Sequence, residues 1–164
     1  MSSLSKFLPQ NLQANLKLRL FAFFKIPLLY YVKPDILAVS NQKAIVKIRL
    51  RRRTKNHLNI MYVGALVMGA ELAPGLIVMK LINESNAKIS LVFNKIESDF
   101  LKRAEDDVLF TCEPGMALEK LVETAIRSHD RIQETVQVTA TVPSKLGDEA
   151  VALFKVSMSL KRKN

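Results

Sequence analysis

A single carboxylate interrupts the most apolar stretch of this sequence. Residues 62–79 read YVGALVMGAELAPGLIVM, and Glu71 is the only charged side chain among them. Burying a carboxylate without a partner is costly, so such a residue usually has a task. A carboxylate in apolar surroundings can act as a general base or as a nucleophile, which makes Glu71 the first candidate catalytic residue. The alternative is a buried acid that is hydrogen-bonded to Asn56, Tyr62 or a free backbone carbonyl and catalyses nothing.

The residues around Glu71 predict a long helix inside the protein. Residues 62–81 are apolar on nearly every side, which is typical of a helix surrounded by other elements. Pro74 cannot donate to the carbonyl of Ala70 and crowds it, so we expect the helix to kink or loosen in the turn that carries Glu71. Residues 60–79 are long enough to span a bilayer, but the charge and the proline argue against a span.

Most of the remaining chain alternates between apolar and polar residues, the pattern of half-buried strands. The predicted strands lie within 36–50, 89–93, 96–104, 108–113, 136–142 and 154–160, and a second helix lies at 115–128. We expect strands 96–104 and 108–113 to flank an acidic turn at 105–107, and the last two strands to form a long hairpin. This order predicts an α+β protein with the hotdog fold, in which a curved antiparallel sheet wraps around one central apolar helix.

An additional helix precedes the sheet. Residues 11–31 carry an apolar stripe at spacings of three and four, and Pro27 should bend or end this helix. The stripe consists of Leu12, Leu16, Leu20, Phe23 and Phe24. We expect the helix to be a cover packed on the domain or on a partner subunit; the alternative is an anchor that lies on a membrane surface. The chain thus divides into an N-terminal helical extension, 1–34, and a hotdog domain, 35–164.

The composition is that of a folded, basic protein. The 164 residues are 49% hydrophobic and 24% charged, which suits one domain with a core and argues against disorder. The net charge of +10 favours an anionic partner, such as nucleic acid, a phosphate-bearing molecule or an acidic membrane surface. Cys112 is the only cysteine, which excludes an intrachain disulfide and fits a cytoplasmic location. His57 and His129 share no metal-ligand spacing, so no metal site is predicted.

The start of the buried helix resembles a motif of hotdog thioesterases of the phenylacetyl-CoA type. Those enzymes carry a pattern like N-x-x-G-x-x-H-G-G followed by an acidic residue. This chain reads NHLNIMYVG over residues 56–64, with Glu71 seven residues later. Tyr62 stands at the position of the histidine, and Asn59 and Val63 stand at the first two glycines. The chain looks closest to a branch of the family in which the histidine is replaced by Tyr or Phe and the acid is Glu.

A second segment carries the same resemblance. Residues 100–104 read FLKRA and are similar to the F-L-R-P-A strand segment of that family, with Arg103 in place of the proline. The resemblance covers roughly residues 36–161. It implies the hotdog fold and an activity on acyl thioesters, with the acyl group carried by coenzyme A or by a carrier protein.

The resemblance also implies roles for the motif residues. Backbone N–H groups near Val63 and Gly64 would polarise the thioester carbonyl, and Glu71 would activate water or act as the nucleophile. Because about 2.5 turns of helix separate Glu71 from Tyr62, Glu71 would act on a thioester held by the other subunit of a dimer, or of a dimer of dimers. Asn56 would orient water or substrate, or fix the loop. Tyr62 would donate a hydrogen bond or close the acyl pocket.

The remaining expectations concern the two ends of the substrate. The phosphates of coenzyme A, here part of the substrate, are expected on four basic residues: Arg53, Lys55, Lys102 and Arg103. An apolar pocket for a fatty or aromatic acyl group is expected to be lined by Met61, Leu66 and Met68. No other cofactor is predicted. The sequence therefore predicts an acyl-CoA thioesterase.

Two other functions are compatible with the residues. A non-catalytic module that binds acyl-CoA or fatty acid would use the same fold. A basic nucleic-acid-binding protein is less favoured, because the basic stripe at residues 47–55 has no interleaved aromatic residues.

Overall fold

The structure, a computed structural model, describes residues 10–163. Its elements in chain order are helices α1 (Gln10–Lys25) and α2 (Pro27–Val32), strands β1 (Asp35–Val39) and β2 (Ala44–Ile48), helix α3 (Val63–Ser85), strands β3 (Ile89–Phe100) and β4 (Val108–Cys112), helix α4 (Ala117–Arg127), strand β5 (Ile132–Thr141), the short helix α5 (Pro143–Leu146) and strand β6 (Ala150–Arg162). The expected break at Pro27 is confirmed, since this residue opens α2 at a position where its missing N–H costs nothing.

The six strands form one antiparallel sheet in the order β1-β2-β4-β5-β6-β3. The predicted hairpin of the last two strands is confirmed by the pairing of β5 with β6. The prediction of two separate strands at 89–93 and 96–104 is wrong, because β3 runs unbroken from Ile89 to Phe100. It pairs with β6, while β4 pairs with β2 and β5. A register shift between Phe93 and Lys95 interrupts the apolar alternation, and this bulge made one strand look like two.

Helix α3 packs against the sheet and supplies the centre of the core. It contacts strands β2 to β6, and the side chains of Ala70, Ala73 and Ile77 are fully buried. The expected central helix is therefore confirmed, and the chain has the hotdog fold. Among the described residues, α3 is the only helix long and apolar enough to cross a membrane. Of its most apolar 18-residue stretch, 61% is buried inside the protein.

Helix α3 approaches the sheet closely at Gly69. A Cβ atom on this glycine would lie 2.3 Å from Cε2 of Phe110, a fully buried ring on β4. Since neither the ring nor the two backbones can move freely in a packed core, this position admits no side chain.

We expect Gly69→Ala to destabilise the protein by about 1–3 kcal/mol, the usual cost of overpacking a core. The comparison variant is Gly75→Ala, because its Cβ would lie 3.2 Å from a ring atom of Phe93. There the intrinsic preference of alanine for helix offsets the milder contact. Thermal and denaturant unfolding of both variants test this difference. A Gly69→Ala protein as stable as the wild type would contradict it.

Helix α1 packs on the domain through a different face from the predicted stripe. Leu18 and Ala22 are buried in a cluster with Leu29 and Ile36, against which partly buried side chains of α3 also pack. Asn15 bonds the backbone of Ile36 on β1, with its Nδ2 donating to the carbonyl at 2.9 Å and its Oδ1 accepting from the N–H at 2.7 Å. The helix does cover the domain, but all five stripe residues are exposed.

Candidate active site

The loop between β2 and α3 is fastened at both ends. The buried hydroxyl of Thr54 donates to the carbonyl oxygen of Arg49 at 2.6 Å, which ties the loop to the end of β2. The N–H of Tyr62 donates to the carbonyl of Thr54, and the N–H of Met61 donates to the carbonyl of Ala104, both at 2.8 Å. The first turn of α3 is therefore held in a fixed position relative to the segment that follows β3.

Asn56 organises the middle of this loop. Its Oδ1 accepts hydrogen bonds from the backbone N–H groups of Leu58, at 2.9 Å, and Ile60, at 3.3 Å. Because both partners are donors, the orientation of the side-chain amide is defined, and its Nδ2 is the remaining donor. In the described part of the chain, Nδ2 has no partner. The side chain thus fixes the loop and still has a donor for a ligand.

Asn59, which the resemblance aligns with the first glycine of the motif, has a left-handed backbone conformation. Its φ is +61°, in the left-handed region that glycine adopts most readily and that asparagine tolerates better than other residues. Asparagine is therefore a suitable residue at this left-handed position of the loop. The side chain also accepts a hydrogen bond from Nζ of Lys55 at 2.9 Å.

We expect Asn59→Ala to lower stability by about 1 kcal/mol, because alanine is strained at this φ. Asn59→Gly is the matched variant and should cost less, since it keeps the loop conformation accessible. Denaturant unfolding of the two proteins distinguishes them. If alanine were tolerated as well as glycine, the left-handed conformation would not constrain this loop.

The N-terminus of α3 presents two unpaired backbone donors. Tyr62 precedes the helix without a side-chain cap, and its carbonyl accepts from the N–H groups of Ala65 and Leu66 at 2.9 and 3.1 Å. Within residues 10–163, the N–H groups of Val63 and Gly64 have no acceptor. Unpaired N–H groups at the positive end of a helix stabilise an oxygen that develops negative charge.

Gly64 allows the ring of Tyr62 to lie against this first turn. A Cβ atom at residue 64 would lie 2.6 Å from Cε1 of the tyrosine. The tyrosine itself is 55% exposed, so its ring borders the open surface rather than the core. Because this exposed ring is free to turn away, the contact does not by itself require glycine at residue 64.

A cavity of about 510 Å³ opens at this end of α3. Its walls come from residues 56–66 and 100–104, the two segments that carry the family resemblance. Seven of the predicted site residues line it: Asn56, Met61, Tyr62, Val63, Leu66, Lys102 and Arg103. The cavity therefore combines backbone donors, apolar walls and two basic side chains.

Sequence reasoning missed part of the apolar wall. Phe100 and Leu101 line the cavity and are about half exposed, with exposed fractions of 49% and 53%. Both belong to the FLKRA segment, whose resemblance to the family was the one sequence feature that could have identified them. Their position depends on the pairing of β3 with β6, which places Phe100 beside Phe154 with a ring-centroid distance of 5.9 Å. That pairing was not predicted.

Other predicted residues lie elsewhere. Arg53 and Lys55 are exposed on the loop and do not line the cavity. Met68 packs with the cluster under α1.

The two basic residues that line the cavity differ in their partners. Lys102 forms an ion pair with Glu149, whereas Arg103 has no acidic partner among the described residues. Of the four basic candidates, Arg103 is therefore the one that lines the cavity and has no ion-pair partner in the described residues.

Glu71 lies on the same helix but away from this cavity. Nine residues separate it from Tyr62, a rise of about 13 Å along the helix axis. The side chain is half-buried, and burial raises the pKa of its carboxyl above the usual 4.5. It has neither a hydrogen-bond nor an ion-pair partner in the part of the chain that the structure describes, so Asn56 and Tyr62 do not bind it within the subunit.

The side of α3 that carries Glu71 faces the edge of the sheet. Gly75 follows one turn later on the same side of the helix, and it approaches the ring of Phe93 on β3. Strand β3 is at the end of the strand order and pairs with β6 on one side only. Glu71 therefore lies near an open sheet edge.

The described residues offer few other groups for nucleophilic or metal chemistry. Cys112 is fully buried, and burial raises the pKa of its thiol to about 12, so the thiol stays protonated near neutral pH. Between residues 10 and 163, no three His, Cys, Asp or Glu side chains form a group that could hold a metal ion. Among the described residues, Glu71 on α3 and His57 in the cavity wall are the candidates for proton transfer.

A protein-family model matches most of the chain. Residues 15–159 match the family described as Domain of unknown function (DUF4442). The matched region includes most of α1 and almost all of the sheet. A search of curated proteins finds no match.

Solved structures with the same fold include several thioesterases. A protein of unknown function from Chlorobaculum tepidum has a TM-score of 0.80 at 13% identity, with 93% of this chain and 97% of that chain covered. A Pseudomonas aeruginosa protein described as a probable thioesterase has a TM-score of 0.75 at 17% identity, covering 95% and 97%. A thioesterase from Haemophilus influenzae has a TM-score of 0.63 at 12% identity, covering 96% and 94%. At such identities the likeness shows the fold.

Proposed function

The chain belongs to the DUF4442 family, and from the site at α3 we propose that it hydrolyses acyl-CoA thioesters. The observation that carries this proposal is the pair of unpaired N–H groups of Val63 and Gly64 beside a cavity with apolar walls. The fold that it shares with thioesterases and the resemblance to the phenylacetyl-CoA type support the same activity.

The first step is polarisation of the thioester carbonyl. Its oxygen accepts hydrogen bonds from the N–H groups of Val63 and Gly64, which are already oriented by the helix and need no rearrangement. As water adds to the carbonyl carbon, the oxygen gains negative charge, and the positive end of α3 stabilises that charge. The Nδ2 of Asn56 is a further donor for the substrate or the attacking water.

The second step requires a base, and we assign it to Glu71 of a second subunit. The rise of about 13 Å along α3 separates Glu71 from its own helix N-terminus by too much for direct proton transfer. Strand β3 offers a 12-residue sheet edge, and an unpaired edge of this length favours pairing with another chain. A two-fold dimer joined there would bring each Glu71 towards the partner's helix N-terminus.

The proton and the leaving group then balance within the site. Glu71 accepts a proton from water as the water oxygen bonds to the carbonyl carbon. The tetrahedral intermediate collapses, the carbon–sulfur bond breaks, and the thiolate of coenzyme A leaves. The protonated Glu71 returns its proton to the products, which are a carboxylic acid and a free thiol. The raised pKa of Glu71 suits it for accepting a proton near neutral pH.

The two ends of the substrate are assigned to different residues of the cavity wall. Arg103 attracts the phosphates of coenzyme A, and Lys102 lines the same wall in an ion pair with Glu149. Leu66, Phe100 and Leu101 form an apolar wall for the acyl group, which favours fatty or aromatic chains over acetyl.

A non-catalytic acyl-CoA binding module is the second candidate function. The observation in its favour is Tyr62, which stands at the motif position of a histidine and removes one group able to exchange protons near neutral pH. The same cavity would then hold a thioester without cleaving it.

Release of free thiol from a panel of acyl-CoAs tests the proposal. The panel contains acetyl-, decanoyl-, palmitoyl- and phenylacetyl-CoA. We expect turnover above the rate in buffer, and faster for the three larger acyl groups than for acetyl. Saturable binding of these molecules by calorimetry without thiol release would establish the binding module instead.

A further inference from the structure

Helices α1 and α2 expose a large apolar surface that neither the core nor the candidate site uses. Of the twenty large apolar side chains that are exposed in the described residues, ten lie between residues 12 and 31. The most exposed are Phe24, at 73%, and Leu28, at 63%. We propose that this surface, called the outer face, lies on an anionic lipid bilayer.

The outer face of α1 is a continuous arc. At about 100° per residue, its apolar side chains fall within an arc of about 120° on the helix surface. They are Leu12, Leu16, Leu20, Phe23 and Phe24. The opposite side of the helix packs on the domain through Leu18 and Ala22. A helix that is apolar on two opposite sides needs something to cover the second side.

Basic side chains border this arc. On the same helix projection, Arg19 lies at one margin of the arc and Lys17 at the other. Long basic side chains in such positions place their stems along the apolar surface and their charges at lipid headgroups. Arg19 also contacts Asp35 at 3.5 Å, but its side chain stays 52% exposed and open to the bilayer surface.

The charge of the segment favours anionic lipid over other occupants. Residues 10–34 contain no acid and four basic residues: Lys17, Arg19, Lys25 and Lys33. Basic side chains near a membrane surface are attracted to acidic headgroups. A second copy of the chain is a poorer fit, because a two-fold contact through the outer face would set the same positive charges against each other.

The aromatic residues strengthen the assignment. Phe23 packs edge-on against both Phe24 and Tyr30, with ring-centroid distances of 5.0 and 5.2 Å. Tyr31, on α2, is 58% exposed. The aromatic cluster therefore sits where α1 meets α2, around Pro27. Clustered rings on a helix with basic margins are typical of helices that lie in the headgroup region of a bilayer.

Co-sedimentation with lipid vesicles tests the proposal on the full chain. Vesicles of phosphatidylcholine alone are compared with vesicles that also contain phosphatidylglycerol. We expect binding to the anionic vesicles that weakens as salt is raised. Phe24→Asp should weaken this binding by about tenfold or more, because a ring that enters the bilayer is replaced by a charge. Met116→Asp is the matched control: Met116 is 57% exposed but lies far along the chain, before α4, and its substitution should leave binding unchanged.

Two outcomes would overturn the proposal. The first is equal binding of the wild type to both kinds of vesicle. The second is vesicle binding by Phe24→Asp that matches the wild type. If that variant also has fewer subunits by light scattering, the outer face is a contact between copies. Circular dichroism of each variant ensures that a folded protein is compared. None of these readouts depends on thioester hydrolysis.

Discussion

Glu71→Gln is expected to lower kcat/KM for acyl-CoA hydrolysis by about 10²- to 10⁴-fold, the contribution of a general base. Glutamine has nearly the same shape but cannot accept a proton from water. Glu123→Gln on the exposed side of α4 is the matched control and should retain full activity. Thiol release under identical conditions compares the two. Equal rates for wild type and Glu71→Gln would remove Glu71 from the reaction.

The pKa of Glu71 gives this prediction a pH signature. The active form is the carboxylate, and burial raises its pKa above 4.5. The rate of hydrolysis should therefore increase with pH as Glu71 loses its proton. The midpoint of this increase should lie above the pKa of an ordinary glutamate. A rate independent of pH from 4.5 upwards would contradict the assignment.

The raised pKa of Glu71 also affects the stability of the fold. As pH increases, the rate of hydrolysis should rise but the stability should fall. Between pH 4.5 and the raised pKa, the folded protein binds more protons at Glu71 than the unfolded chain does. Stability therefore falls as pH rises through this window. Since glutamine carries no charge, Glu71→Gln should be more stable than wild type at neutral pH, and the difference should vanish below pH 4.5. Denaturant unfolding at several pH values measures it.

Val63→Pro is expected to lower kcat by about 10²- to 10³-fold, the effect of losing one donor to a developing oxyanion. Proline removes the N–H of residue 63, the first residue of α3, where proline is well tolerated. Tyr62 already has φ −65° and ψ 138°, which is the conformation preferred before proline. The substitution should therefore remove the donor and leave the helix intact.

Val63→Ala is the control for this variant, because it shortens the same side chain but keeps the N–H. It should retain most of the activity. Thermal unfolding should show that both variants are folded. A folded Val63→Pro protein with wild-type kcat would show that this N–H does not bind the oxyanion.

The sequence predicted the parts of the fold that depend on local pattern. The all-round apolar character of residues 62–81 identified the central helix, and the alternation on either side of residues 144–148 identified the hairpin of β5 and β6. The motif spacing also located the loop at Asn56. The side chain of Asn56 accepts hydrogen bonds from residues only two and four positions later in the chain. These features depend on residues close together in the chain, so one sequence contains the information.

The features that were missed depend on residues far apart in the chain. The bulge at Asn94 hid the continuity of β3, and with it the position of Phe100 in the cavity wall. Helical periodicity identified the stripe of α1 as one face, but could not tell whether that face or the opposite one meets the domain. Leu18 and Asn15 decide this through contacts with β1, which the helix pattern does not contain.

Complementation between two inactive chains tests the central claim most directly, that one active site combines the α3 N-terminus of one subunit with Glu71 of another. Glu71→Gln and Val63→Pro chains carrying different tags are coexpressed, and thiol release is measured on the mixed sample. A mixed dimer contains one intact site and one site with both defects. Random pairing of equal amounts therefore predicts about a quarter of wild-type activity, far above either parent. Activity no greater than the average of the two parents would contradict the shared site.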